Sequence, residues 1–337
     1  MIKTKLLSFC VFFFVFIFKI FAEVNEQPYD EFIESVFEIK IPGLEGAYNA
    51  SIVEYDDGYL MAFRHDTYRT PIGYYLEDFH QYIGLIKLDE NFQITSLYYP
   101  CLGNRTYDPR LLKIKDTIYL IYACPNSLDP HSVFSSHLEL GTIYFSEDGV
   151  SVNNCMELCA PFQRLWEKNW VPFNYKDRLL LAYTINPHII LKPSLSDGTC
   201  GLLCKTDPPI CWSYGSIRGS TQASLVDGDY LGFFHSYLQD PVTGIHNYYV
   251  GAYTFSNKPP FGLLKISPKA FSHPDFYSAQ KNALAFEKNV IFPGGFFVKG
   301  NKIYMSFGEN DEAIKIMIID KKKLFESMID TNKEIKQ

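Results

Sequence analysis

Basic charge is scarce in this 337-residue chain: 31 Lys and Arg stand against 38 Asp and Glu, and charged residues make up only 20% of it. Three of those bases, Lys3, Lys5 and Lys19, fall in the first 22 residues, where there is no acid, so the remainder carries a formal −10. A phosphate backbone finds no electrostatic footing on such a domain, which argues against a nucleic-acid partner. Any anion bound here needs a local basic pocket. Long apolar runs are missing after residue 22, so no integral membrane span is expected once the leader is removed. There is no Walker loop, dinucleotide fingerprint, calcium loop or Ser-His-Asp order, and no cofactor or resident metal is expected. A Pro/Gly/Ser-rich linker is also lacking, which leaves no place for a domain boundary.

The first 22 residues are an export leader by pattern: Lys3 and Lys5, then the apolar run from Leu6 to Phe18, then small Ala22 as a cleavage position. The expected organisation is a signal peptide over 1–22, one catalytic domain over 23–320 and a helical tail over 321–337. An exported protein, secreted or held in a periplasm or endomembrane lumen, is the expectation, with an uncleaved anchor as the alternative. Beyond Cys10, seven cysteines remain (101, 124, 155, 159, 200, 204 and 211), an odd number. Local disulfides around 155–159 and 200–211 are expected ahead of zinc, because the two C-x-x-x-C spacings are not those of a finger or ribbon. Asn49-Ala50-Ser51 and Asn104-Arg105-Thr106 are formal glycosylation sequons.

What the chain does have is a repeat. Ser51–Arg64, Pro109–Tyr122, Val171–Tyr183, Ala223–His235 and Gly295–Phe307 each read as a strand, a polar two-residue turn and an aromatic-rich second strand. The turn residues, such as Asp-Gly, Lys-Asp or Lys-Gly, tolerate the positive φ of a tight hairpin. Between copies there is room for two more strands, for example Tyr82–Leu88, Gly141–Phe145 and Tyr248–Thr254. Four short strands per unit, five times over, predict an all-β, five-bladed β-propeller with a short C-terminal helix, preferred over a β-sandwich with look-alike hairpins.

A propeller gathers the ends of its inner strands round one funnel, so residues at a fixed offset in every copy converge. Those offsets are polar here. Tyr48-Asn49-Ala50, Tyr107-Asp108-Pro109-Arg110, Lys168-Asn169-Trp170 and Arg218 lead into the copies, and Arg64-His65-Asp66, His188, His235 and Gly308-Glu309-Asn310-Asp311 follow them. Fixed cations in a funnel hold an anion, which makes Arg64, Lys168, His188 and His235 the candidate phosphate cradle, with Arg69, Arg105 and Arg218 in reserve. Each also has an ordinary structural reading. Arg64 would pair with Asp66, Lys168 would be a surface charge, the histidines would close strand ends, and Asp108 would be a turn residue ahead of Pro109.

Together, Asn49-Ala50 with Arg64 downstream, the Asp108-Pro109-Arg110 triplet, Lys168-Asn169, His188, His235 and the Gly308–Asp311 end resemble glycoside hydrolase family 130 over roughly residues 45–320. These are five-bladed β-mannoside phosphorylases and related enzymes. The resemblance implies an enzyme that cleaves or forms β-mannosidic bonds with inversion, on an oligosaccharide or glycan, with inorganic phosphate as co-substrate. It implies Asp108 as the acid, acting directly or through a sugar hydroxyl, and Asn49, Arg64 and Asp311 on the sugar. Arg110 belongs to the same substrate-binding set, Trp170, Tyr107 or Tyr237 would supply an aromatic platform, and Glu309 a second carboxylate for a water-using hydrolase. A β-glycosyltransferase and a non-catalytic glycan-binding propeller remain alternatives on the same scaffold.

Overall fold

A computed structural model describes residues 29–67, 80–103, 105–126, 135–147, 149–162, 164–278 and 288–331. The leader, Arg69 and the sequon residue Asn104 lie outside the described residues. The chain is almost entirely strand, arranged as a β-propeller of five sheets. After β1 (Ile33–Ile39), the first blade runs β2 (Ala47–Tyr55), β3 (Gly58–Asp66), β4 (Gln81–Leu88) and β5 (Ile94–Tyr98). The second is β6 (Tyr107–Ile114), β7 (Thr117–Pro125), β8 (Ser136–Ser146) and β9 (Gly149–Glu157), and the third β10 (Val171–Tyr175), β11 (Arg178–Thr184), β12 (His188–Pro193) and β13 (Cys200–Thr206).

The fourth sheet is irregular. Its innermost strand is broken into β14 (Arg218–Gly219) and β15 (Ser224–Val226), both paired with β16 (Asp229–Gln239), which continues to β17 (His246–Phe255) and β18 (Leu263–Ile266). Short β19 (Lys288–Asn289) runs parallel beside β17. The fifth blade is β20 (Ile291–Lys299), β21 (Lys302–Glu309) and β22 (Ala313–Asp320), and its outermost strand is β1, so the two ends of the chain close the ring within one sheet. Helix α1 (Lys321–Ser327), capped by the Asp320 carboxylate on the Lys323 amide, packs Leu324 inward and is followed by β23 (Ile329–Asp330), an extra strand on β18. The helix expected in the tail is therefore one of two short elements there.

Turn chemistry sets the five hairpins. Asp56, Lys115, Lys176, Asp227 and Gly300 each take the first position of a two-residue loop at positive φ, the geometry whose twist matches that of the flanking strands. Both faces of the inner strands are buried, and the apolar residues form five clusters, one in each gap between neighbouring sheets. Ile52, Met61 and Phe63 thus pack against Ile314 and Ile316, while Leu60 and Leu85 pack against Leu111 and Leu120. Near the axis, polar side chains tie blade to blade. The Leu111 amide donates to Ser51 Oγ at 3.0 Å, Ser306 Oγ to the Ala50 carbonyl at 2.6 Å, and Gln222 Nε2 to the Phe296 carbonyl at 2.5 Å.

All seven described cysteines are free thiols, so the local disulfides expected from the sequence do not form. Cys155 and Cys159 lie at the end of an outer strand and just beyond it. Among the described residues no helix is long and apolar enough to cross a membrane.

The crowding at the axis is testable. A Cβ on Gly294 would sit 1.8 Å from the Ala50 carbonyl oxygen, whereas one on Gly262 meets nothing within 4 Å. Gly294→Ala is expected to cost about 1–3 kcal/mol, a fall of several degrees in the unfolding midpoint, while Gly262→Ala leaves the melt unchanged. Calorimetry on the two variants checks this.

Candidate active site

Three inner strands share one irregularity at the mouth of the funnel. The β2–β3 register slips between Tyr48 and Ser51, the β6–β7 register between Tyr107 and Arg110, and the β20–β21 register between Pro293 and Gly295. These are β-bulges, and the extra residue turns its side chain out of the ladder and toward the axis. Asn49 and Asp108 occupy two of them at φ of 49° and 52°, a conformation that Asn and Asp accept more readily than other residues with a Cβ. The third holds Gly294. The close approach of Gly308 to Asn49, where a Cβ would come within 2.2 Å of Asn49 Oδ1, presses the last blade against the first at this point.

Asp108 Oδ1 accepts from Asn49 Nδ2 at 2.9 Å and from Arg64 Nη1 at 3.5 Å, and the side chain is only 14% exposed. Arg64 in turn is held by a bidentate pair with Asp66, both contacts at 2.8 Å, and Asp66 also accepts from Tyr48 OH at 2.6 Å. The Tyr48 and Tyr107 rings flank the guanidinium, their centroids 4.9 Å and 5.4 Å from it. Burial alone would weaken the Arg64 charge; Asp66, Tyr48 and Asp108 more than reverse this and raise its pKa further. Asp108 shows the complementary balance. Burial pushes its carboxyl up, but Arg64, then Arg110, the Asn49 amide and Lys168 together hold it below the usual carboxylate range.

The other cations gather from three more strands and a connecting segment. Arg110 is buried over the Phe292 ring, donates to the Pro109 carbonyl at 2.9 Å, and has its pKa drawn down to about 10 by burial. Lys168 is pulled down by burial and by the charges of Arg218, Arg64 and Lys288, against the opposing attraction of Asp108. Arg218 lies over Tyr237, 4.6 Å from the ring centroid, and Tyr237 stacks on Tyr248, which stacks on His235. Asp311 faces Lys288 at 3.7 Å; its carboxyl sits deep in the concave mouth yet remains open to solvent, and burial raises its pKa with help from Asp108 and Asp66. Lys168 and Arg218 also line a cavity of about 390 Å³ that extends past Asn169, Trp166 and Arg164 to Tyr183.

The structure thus brings together Asn49, Arg64, Asp108, Arg110, Lys168, Asp311 and the reserve residue Arg218. His235 is present but not as a cation. It is buried, bonded through Nδ1 to Ser220 Oγ, and held well below its ordinary pKa by burial and by Arg218, Arg110 and Lys168. Three expected members lie elsewhere. His188 starts a third strand, wholly buried against Phe255 with Nδ1 on the Phe261 carbonyl, and burial drops its pKa to about 4, so it is a neutral core residue. Trp170 is 1% exposed, with its indole donating to Glu167 and its ring against Tyr183, so it offers a sugar no platform. Glu309 is wholly buried in an ion pair with Lys315 at 2.7 Å and is spent there. Arg105 pairs through its backbone with Gln81. Sequence reasoning gave no role to Tyr48, Tyr248 or Lys288; Tyr48 opens the Tyr48-Asn49-Ala50 motif, whereas Tyr248 and Lys288 belong to none of the motifs.

A propeller whose mouth holds a buried carboxylate among fixed cations, beside stacked aromatic rings, has the features of a carbohydrate-active enzyme. The family model described as beta-1,4-mannooligosaccharide phosphorylase matches residues 37–330, and the chain belongs to that family, glycoside hydrolase family 130. Its members are glycoside phosphorylases and hydrolases acting on β-mannosidic linkages, and this chain is an enzyme of that kind. Among solved structures, the beta-1,2-mannobiose phosphorylase from Listeria innocua, in complex with beta-1,2-mannobiose, superposes with a TM-score of 0.60 at 14% identity, over 87% of this chain and 93% of that one. A structure reported for family glycoside hydrolases that target beta-1,2 mannosidic linkages in Candida mannan gives 0.63 at 11%, over 89% and 96%. A mannose phosphorylase from Leishmania mexicana, in complex with phosphate ion, gives 0.58 at 12%, over 90% and 94%. None of the curated proteins matches the chain in sequence.

The Asp108 environment has a consequence for stability. Cations that depress its pKa favour the folded state while the carboxylate is ionised. That contribution is complete above the ordinary Asp range, about 4, and is lost as pH falls through the lowered native value. Asp108→Asn is therefore expected to melt below the unsubstituted protein at neutral pH and to converge with it in strong acid, as thermal melts across pH will check.

Proposed function

We propose that this protein cleaves β-mannosides, or closely related glycosides, by inverting phosphorolysis. The observation that carries the reading is charge. Among the described residues, Arg64, Arg110, Lys168, Arg218 and Lys288 surround three carboxylates, Asp66, Asp108 and Asp311, in a protein that is otherwise acidic. A surplus of fixed cations is what a phosphate nucleophile requires, because it brings its own negative charge and needs no second carboxylate as base.

In this scheme Asp108 is the acid. The free site keeps it ionised, and a phosphate anion seated against Lys168 and Arg218 offsets the positive field that lowers its pKa. The carboxyl can then carry the proton that reaches the leaving oxygen, directly or through a sugar hydroxyl. Asn49 and Arg64 hold Asp108 in place and present their remaining hydrogen-bonding capacity to the sugar, Asp311 accepts from its hydroxyls, and Tyr237, one of the three expected platform residues, supplies the flat apolar surface together with Tyr248.

A second reading is favoured by one feature. Asp108 and Asp311 face one mouth with pKa values displaced in opposite directions, the pattern of a base and an acid. If water replaces phosphate, Asp108 activates it and Asp311 protonates the leaving group.

The test is to incubate the purified protein with β-linked mannobioses, with and without inorganic phosphate. Mannose 1-phosphate formed only with phosphate is the expected result; free mannose independent of phosphate supports hydrolysis, and transfer from a sugar nucleotide overturns both. Asp108→Asn is expected to lower kcat by about 10²–10⁴-fold. Lys168→Met is expected to raise KM for phosphate roughly 10–100-fold, the worth of one charge-assisted hydrogen bond, with less change in KM for the sugar.

A further inference from the structure

A second cluster of chemistry-bearing side chains lies on the second blade, outside the site just described. Cys124 on β7 is directly opposite His137 on β8, and Tyr122 opposite Glu139, so the pleat puts all four on one face of the two-stranded unit. The Cys124 thiol, one imidazole nitrogen of His137 and one Glu139 carboxylate oxygen lie within 4.8 Å of one another.

The unused atoms of these side chains are already committed elsewhere, in a way that orients the free ones. His137 Nδ1 is 2.7 Å from Asn126 Oδ1, an acceptor, so Nδ1 carries the hydrogen and Nε2 turns a bare lone pair to the cluster. Glu139 Oε2 accepts from Tyr122 OH at 2.6 Å, which leaves Oε1 free. That oxygen is 3.6 Å from His137 Nε2, too far for a hydrogen bond, and in this tautomer there is no hydrogen between the two atoms. Glu139 also lies directly opposite Glu157 across β8–β9, a like-charge pair, and among the described residues neither is matched with Lys or Arg in an ion pair. A protonated His137 ion-pairs with Glu139 here, and the neutral ring leaves lone pairs and negative charge converging on one point.

The geometry points to a binding site for a borderline divalent transition-metal ion, with Zn²⁺ as its natural occupant, ligated by Cys124 Sγ, His137 Nε2 and Glu139 Oε1. Sulfur, imidazole and carboxylate together exclude the hard cations Ca²⁺ and Mg²⁺, which take oxygen alone. Tetrahedral bonds of about 2.0–2.3 Å set donor atoms roughly 3.5 Å apart, the spacing His137 and Glu139 have already; the thiol closes in on binding and loses its proton. Asn126 and Tyr122 are the outer partners that ligating His and carboxylate groups ordinarily have. A water molecule completes the fourth position. The ion would clamp the ends of β7 and β8 beside Tyr107, whose ring flanks Arg64, and so brace one wall of the active site without touching substrate.

The experiment uses the full chain without an affinity tag, stripped of metal and kept reduced, titrated with Zn²⁺ and in parallel with Co²⁺. One ion per chain is expected at micromolar affinity or tighter, with a rise in the unfolding midpoint and, for Co²⁺, a thiolate charge-transfer band with tetrahedral d–d absorption. Cys124→Ser is expected to abolish the charge-transfer band, and Asn126→Ala to weaken Zn²⁺ binding about 10–100-fold. Cys159→Ser, at a free thiol outside the cluster, should change nothing. The proposal is overturned if the unsubstituted chain binds no Zn²⁺ under these conditions, or if the cobalt band survives in Cys124→Ser and disappears in Cys159→Ser. The unsubstituted chain supplies the deciding titration even if a variant fails to fold.

Discussion

A ring of sheets holds its shape only if it closes, and closure here rests on the antiparallel ladder between β1 and β22. Without it β22 would present a row of unsatisfied amides and carbonyls, and the first and last blades would lose their common core. The charged cluster at the mouth has no existence apart from that closure. Asn49 and Arg64 come from the first blade, Asp108 and Arg110 from the second, Lys168 from the approach to the third, Arg218 from the fourth and Asp311 from the end of the fifth. Each neighbour restrains the next by a hydrogen bond or a contact too tight for a Cβ.

On this frame the site works by tension between burial and charge. Placing several cations in one partly dry mouth is unfavourable unless carboxylates divide them, and Asp66 at the end of β3 and Asp108 on the bulge of the next blade do so. The same arrangement fixes which groups stay charged. Arg64 is locked by Asp66, Asp108 is held ionised by its cations, and His235 is kept neutral by both its burial and its charged neighbours. The two histidines differ instructively. His235 borders the cations from within β16, where it pairs with Arg218, whereas His188 starts a third strand and lies in the core.

Much of this was legible in the sequence, because the information was local. The five hairpins follow from two-residue turns and alternating aromatic strands, and the convergence of Asn49, Arg64, Asp108, Lys168 and Asp311 follows from their equal offsets within a repeat. What escaped was non-local or depended on one residue's rotation. The pairing of β1 with β22 joins positions at opposite ends of the chain and leaves no local mark. Trp170 follows Asn169, whose positive φ turns the next side chain into the gap between blades two and three, away from the funnel. Glu309 is claimed by Lys315 on the adjacent strand, a partner that no repeat offset signals. Arg64 shows that an ordinary ion pair and a place at the mouth need not be alternatives: it is paired with Asp66 and reaches Asp108 as well.

The hydrogen bond from Asn49 to Asp108 bears on how the molecule must be made. Asn49 is followed by Ala50 and Ser51, so the amide nitrogen that steadies the carboxylate is also the atom to which a eukaryotic lumen would attach an N-glycan. At 4% exposure there is no room for such a graft once the ring has shut. In any secretory compartment with that machinery, maturation becomes a race between zipping up the wheel and being tagged at its hub, and a chain that loses the race carries a glycan where the amide should meet Asp108.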